Sequence, residues 1–193
     1  FLRALREACD ESGSLLIFDE VQCGLGRTGH LFAKDAFGVQ PDMMTLAKPL
    51  AGGLPIGVTL VSDEIAASIR PGDHGTTFGG NPLVTAAASY VLDTIADPKF
   101  LEQVCEKGEL LAKGLDDLAT AFPEHITQSR CKGLFAGIEL KERPASDVVA
   151  AAAKRNLIVL SAGEKGNVVR IAPPLIITKA EIKSALDTLR KVF

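Results

Sequence analysis

Leu15-Leu16-Ile17-Phe18-Asp19-Glu20 decides the fold class: four apolar residues without polar alternation, closed by two acids. Such a run marks a short strand buried on both faces of a parallel sheet. Upstream, Phe1 to Cys9 puts Leu2, Leu5, Ala8 and Cys9 on one helical face, and Gly13 supplies a stop. The chain opens inside a helix and without methionine, so an N-terminal piece, with any targeting peptide, is expected ahead of it. Downstream, Met43-Met44-Thr45-Leu46-Ala47 and Gly57-Val58-Thr59-Leu60-Val61 repeat the apolar pattern, separated by helix-length segments. Together these predict an α/β layered domain with a parallel sheet.

Beyond Gly79-Gly80-Asn81-Pro82 the pattern changes. Residues 83 to 95 and 100 to 121 read as two helices, the first linking two domains. Short apolar runs at 134–140, 157–160 and 168–171 read as strands, with a helix from Ala145 to Lys154 between the first two. Thr178 followed by Glu181 forms a capping box for a last helix. The expected division is therefore residues 1–80 as part of a large α/β domain and residues 81–193 as a small α+β domain.

Composition bounds the function. The chain has 193 residues, 47% hydrophobic and 23% charged, within the range of folded globular proteins. A net charge of −3 offers no basic surface for a phosphate backbone, so nucleic acid is not expected as a partner. No apolar run approaches the ~18 residues of a membrane span, which predicts a water-soluble chain. The four cysteines, at 9, 23, 105 and 131, form no CxxC pair and have no histidine at ligand spacing; neither a metal site nor a disulfide framework is expected.

Asp19 and Lys48 carry the chemistry. Each stands at the carboxyl end of a predicted strand, and in open α/β sheets ligands bind at those ends. A partly buried salt bridge between them is one reading. The other is a reactive lysine: the turn Lys48-Pro49-Leu50-Ala51-Gly52-Gly53 is built of small residues that leave an amine approachable, and lysine amines lower their pKa readily when desolvated. Two motifs mislead. Residues 15–20 look like the strand-plus-acids of an ATPase metal site, but no GxxxxGK[ST] occurs; Gly24, Gly26 and Gly29 spell GxGxxG, but five residues separate them from the strand and Pro41-Asp42 starts a new element where a ribose-binding acid should stand.

Phe18-Asp19-Glu20-Val21-Gln22, Gly26-Arg27-Thr28-Gly29, Pro41-Asp42, Thr45-Leu46-Ala47-Lys48, Gly52 to Gly57, His74 to Pro82, and Arg170-Ile171-Ala172-Pro173-Pro174-Leu175 form seven ordered stretches. In that order the chain resembles, over nearly its whole length, the class-III pyridoxal-phosphate aminotransferases. The resemblance implies a fold-type-I transferase: the end of the large cofactor domain, then the small C-terminal domain. It implies pyridoxal 5'-phosphate as cofactor, with Lys48 binding it covalently and moving the proton, and Asp19 holding the ring nitrogen protonated.

Further roles follow from the same resemblance. Val21 would pack on the ring, Gln22 would meet the phenolic oxygen, and Arg170 would bind a substrate carboxylate. Thr77 would reach the cofactor phosphate of the neighbouring subunit of a homodimer. Ordinary loop packing, turn capping and a structural ion pair are the competing roles for Val21 and Gln22, for Thr77 and for Arg170 respectively. Glu20 would be a supporting or structural acid, and His74 is left outside the site. The wording around Lys48 is most similar to members that use N2-acetyl-L-ornithine as amino donor and 2-oxoglutarate as acceptor. Ornithine or 4-aminobutyrate as donor is the alternative, and a catalytically silent binding or dimerisation module is the reading from another class. Relatives of this kind are cytosolic in bacteria and mitochondrial or plastid in eukaryotes.

Overall fold

The apolar run at 15–18 becomes strand β1, Ile17–Asp19, after helix α1, Leu2–Ser12. The computed structural model describes all residues, Phe1–Phe193, and their contacts divide them into two units. The first holds Phe1–Gly26 and His30–Leu101; the second holds Arg27–Gly29 and Glu102–Phe193. The first unit therefore runs about twenty residues beyond the expected division at 80, because the helix after Asn81 packs on the turn that starts at Lys48.

In the first unit β1 pairs in parallel with β2, Met43–Leu46, and β2 pairs antiparallel with β3, Val58–Val61, in the order β1-β2-β3. The expectation of an all-parallel sheet is corrected at β3. A parallel return needs a crossover of a dozen or more residues, and the link from Leu46 to Val58 is shorter and spends four residues on a 3-10 turn, Lys48–Ala51. Between β1 and β2 the structure has turns and a second 3-10 turn, Ala33–Ala36, in place of the expected crossover helix. Burial on both faces also fails for β1: Leu16 is buried, but Leu15 and Ile17 are 58% and 54% exposed. Helices α2, Asp63–Ser68, and α3, Pro82–Ala96, complete the unit, the latter capped by the Asn81 side chain accepting from the Val84 N–H at 3.0 Å.

The second unit combines a four-stranded antiparallel sheet with helices. Helix α4, Pro98–Ala121, sends Val104, Leu111, Leu115 and Leu118 into the core. The sheet has the order β4-β5-β7-β6, with β4 at Ile126–Lys132, β5 at Phe135–Leu140, β6 at Leu160–Ala162 and β7 at Val168–Ile171. Helix α5, Ala145–Ala153, precedes β6, and α6, Lys179–Arg190, closes the chain. The capping box forms as read: Thr178 Oγ1 accepts from the Glu181 N–H at 3.2 Å, and the Glu181 carboxylate accepts from the Thr178 N–H at 2.8 Å.

Two strand readings differ from the structure. β4, Ile-Thr-Gln-Ser-Arg-Cys-Lys, is too polar to signal a strand, since only Ile126 is buried and the strand lies at the sheet edge. The run at 157–160 pairs only from Leu160 onward, and Ile158 is left 88% exposed.

Candidate active site

Parallel register sets Asp19 of β1 beside Thr45 of β2. The Thr45 hydroxyl donates to Asp19 Oδ1 at 2.9 Å, and the Val21 N–H, two residues on, donates to the same oxygen at 3.0 Å. This second bond is the local turn that aspartate favours after a strand. Both donors meet Oδ1, and Oδ2 takes neither bond. The Val21 N–H first, the Thr45 hydroxyl next and the Lys48 charge last hold the Asp19 carboxyl below the usual carboxylate range. Asp19 is exposed, so its negative charge is presented rather than sequestered.

Lys48 follows β2 directly, with a φ of +44°, one of three non-glycine residues in the left-handed region. That conformation costs a side-chain-bearing residue roughly 1–3 kcal/mol and persists only where surrounding structure imposes it. Here the imposition is visible. Leu50 and Ala51 of the same turn are buried, and α3 packs against it. The side chain is exposed and enters no salt bridge, which leaves the ion-pair reading of Asp19 and Lys48 without a contact. The two residues sense each other only through space, Lys48 lowering the Asp19 pKa.

Glu20, next to Asp19, has the opposite fate. It is 3% exposed, and its two carboxylate oxygens accept the N–H groups of Ala33 at 2.6 Å and Lys34 at 2.8 Å, opening the 3-10 turn Ala33–Ala36. It is a structural acid. Glu20→Gln would set an amide NH2 against one of those N–H groups, so a loss of about 1–3 kcal/mol is expected, read as a lowered thermal midpoint with the Asp19 bonds intact. Gly24 belongs to the same arrangement: a Cβ there would lie 2.9 Å from the Glu20 carbonyl oxygen. That close approach accounts for one glycine of the GxGxxG. Gly29, at φ +87°, accounts for another, since a Cβ would strike Cys105 Sγ.

The remaining residues read from the sequence fall as follows. Val21 is half-buried and Gln22 is exposed beside Asp19. Thr77 lies in the first unit, in the exposed stretch between α2 and α3; there it is its neighbour Thr76 whose hydroxyl accepts the Gly79 N–H, at 3.2 Å, and Thr76 that lines a cavity of about 650 Å³ with Pro55, Phe78 and Asn81. His74 is exposed in the same stretch. Arg170 belongs to the second unit, on β7, opposite Gly137 of β5 and Leu160 of β6. It is half-buried and borders a trough of about 330 Å³ with Arg130, Lys132 and Phe135. Asp19, Val21 and Lys48 are thus brought together on adjoining strand ends of one unit, with Thr77 elsewhere in that unit and Arg170 in the other.

Two residues in the quoted motifs acquire roles that spacing did not assign. Thr45 binds Asp19, a consequence of register that no linear motif displays. Arg27 is half-buried; its guanidinium donates to the carbonyls of Leu134, at 3.0 Å, and Pro173, and burial pulls its pKa down. It ties residues 27–29 to the second unit as a structural cation. Among the cysteines, burial raises the Cys23 thiol pKa and takes that of Cys131 to about 11, so neither presents a thiolate near neutrality. No cluster of three or more metal-binding side chains exists, and no helix is long and apolar enough to cross a membrane.

Residues 1–193 match the family model described as "Aminotransferase class-III". A protein of Alnus glutinosa named "Acetylornithine aminotransferase, mitochondrial" is 55% identical over 189 residues, covering 98% of this chain and 41% of that protein. The crystal structure of N-acetylornithine aminotransferase from Stenotrophomonas maltophilia superposes with a TM-score of 0.88 at 36% identity, over 100% of this chain and 50% of that one. Ornithine aminotransferase from Plasmodium yoelii superposes with a TM-score of 0.91 at 31% identity, covering 99% of this chain and 50% of that one. The chain spans half or less of the length of these relatives.

Proposed function

The chain belongs to the class-III aminotransferases, and from that membership we propose that it is the C-terminal part of an enzyme that moves the amino group of N2-acetyl-L-ornithine to 2-oxoglutarate. The products are N-acetyl-L-glutamate 5-semialdehyde and L-glutamate, and the cofactor is pyridoxal 5'-phosphate. In this reading residues 1–80 end the large cofactor domain and residues 81–193 form the small one. The observation that carries the reading is the pairing of an ionised, oriented carboxylate with an approachable lysine on neighbouring strand ends.

The donor set suits the ring end of the cofactor. A carboxylate held below its usual pKa keeps its charge beside a protonated aromatic nitrogen, and Oδ2 of Asp19 is the oxygen that its two donors leave open. When bound, the cofactor supplies an electron sink for the carbanion left when the substrate carbon loses its proton. This chain's residues do the rest. Lys48 Nζ would be the group that holds the cofactor and, once free, the base that takes the proton from the substrate carbon and returns it. Val21 would pack beside the ring and Gln22 would meet its phenolic oxygen. Arg170 offers two parallel N–H donors to a substrate carboxylate, a geometry no lysine supplies. Thr77 would donate to the cofactor phosphate held by the other subunit of a homodimer.

The acetylated donor is favoured by the names of the relatives at higher identity, against ornithine for a structure matched at 31%. In the full-length protein, kcat/KM with N2-acetyl-L-ornithine is expected to exceed that with ornithine or 4-aminobutyrate by about tenfold or more, as a pocket fitted to the acetyl group would give. Equal or better rates with ornithine would move the assignment to that donor. No turnover with any amine, and no label at Lys48 after borohydride reduction, would favour the silent module.

A further inference from the structure

We propose that Thr45 is the positioning residue of this site: its hydroxyl, with the Val21 N–H, locks Oδ1 of Asp19 and so leaves Oδ2 as the acceptor for a protonated aromatic nitrogen. The inference rests on the role given above to Asp19 and adds the group that orients it.

Three features carry it. Thr45 stands in the central strand of the β1-β2-β3 sheet, in register with Asp19 on one side and Thr59 on the other, so its backbone cannot shift without breaking both pairings. The Glu20 N–H donates to the Thr45 carbonyl at 3.0 Å, fixing the strand end just beyond Asp19. Along β2, Met44 and Leu46 are buried while Met43 and Thr45 lie on the less buried face. A threonine is β-branched and stiff at its first side-chain torsion, so the strand position also sets where the hydroxyl points. Of the two donors on Oδ1, one comes from Asp19's own turn and the other is a side chain of the neighbouring strand. The second makes the carboxylate's orientation a property of the sheet. The charged and titratable groups around Asp19 are Lys48 after β2, Glu20 beside it, and the Cys23 thiol, which donates to the Asp19 carbonyl at 3.7 Å.

Valine separates a positioning role from a structural one. It keeps the branch and the preference for strands that a purely structural residue would need, and removes only the hydroxyl. In the full-length protein freed of cofactor, the Asp19 carboxyl is followed by 13C NMR of aspartate-labelled samples, with Asp19→Asn used to assign the signal. Thr45→Val is expected to raise the Asp19 titration midpoint by about 0.5–1 pH unit, the size of one lost hydrogen bond to the ionised form, and Thr45→Ser to restore it. In the loaded enzyme, kcat is expected to fall about tenfold in Thr45→Val with KM changed less than about threefold, and to recover in Thr45→Ser. Thr45→Ala, read the same way, serves if the valine variant does not fold.

An unmoved Asp19 titration in Thr45→Val, or a serine variant as impaired as the valine one, overturns the proposal. The two levels separate cleanly. If Asp19→Asn is inactive while Thr45→Val leaves the titration in place, only the role of Thr45 falls. If Asp19→Asn keeps its turnover, the role of Asp19 falls and this proposal falls with it.

Discussion

Lys48→Ala in the full-length protein is expected to lower kcat/KM for transamination by about four orders of magnitude or more, because one substitution removes both the covalent attachment point and the base. The effect should be chemical. Lys48 is exposed and makes no salt bridge, so removing its side chain breaks no buried contact. Its φ of +44° gives alanine no easier a backbone than lysine, so the strain of roughly 1–3 kcal/mol is unchanged by the exchange. Fold and thermal midpoint should therefore stay close to the parent protein, while borohydride reduction no longer fixes cofactor to the chain. Turnover within tenfold of the parent would remove the assignment of Lys48 and, with it, the proposed mechanism.

Asp19→Asn should cost kcat about two to four orders of magnitude, the range in which a missing proton-holding group is felt. Asparagine keeps the volume and an oxygen that can still accept from the Val21 N–H and the Thr45 hydroxyl. The amide nitrogen then takes the place of Oδ2, and a donor faces the nitrogen that must stay protonated. The charge is lost as well. The pH dependence has a definite sign: a carboxyl held below the usual carboxylate range is ionised throughout the neutral range, so an acid limb seen near neutrality does not belong to Asp19. Asp19→Asn should lower the whole kcat profile without moving such a limb. A parent-like kcat, or a limb that vanishes in the variant, would show that Asp19 does other work.

Much of this was legible in the residues themselves. Leu15 to Phe18 and Met43 to Ala47 announced strands because unbroken apolar runs bounded by polar residues favour a sheet, even though Leu15 and Ile17 stay exposed, and Thr178 with Glu181 announced a helix start because the reciprocal cap is local. Asp19 and Lys48 were marked by standing where strands end. The glycines at 24 and 29 owe their place to close packing against Glu20 and Cys105 rather than to a phosphate, and Gly26 to a φ of +83°.

The chain's order of apolar and polar residues thus determined most of the strands and helices, though not the polar edge strand β4, as well as the α/β character and the two groups that can do chemistry, since each depends on a few neighbouring residues. Strand direction was decided in three dimensions. A reversal at β3 turns on how the buried Leu50 and Ala51 fold the short link back, which apolar periodicity does not encode. So was the division of labour between adjacent acids: Glu20 closes around two backbone N–H groups and disappears, while Asp19, one residue earlier on the alternating strand, is left exposed. Thr45 became a partner of Asp19 only when the parallel register of β1 and β2 set the two side by side, because a contact between strands depends on their alignment and not on either strand's own sequence.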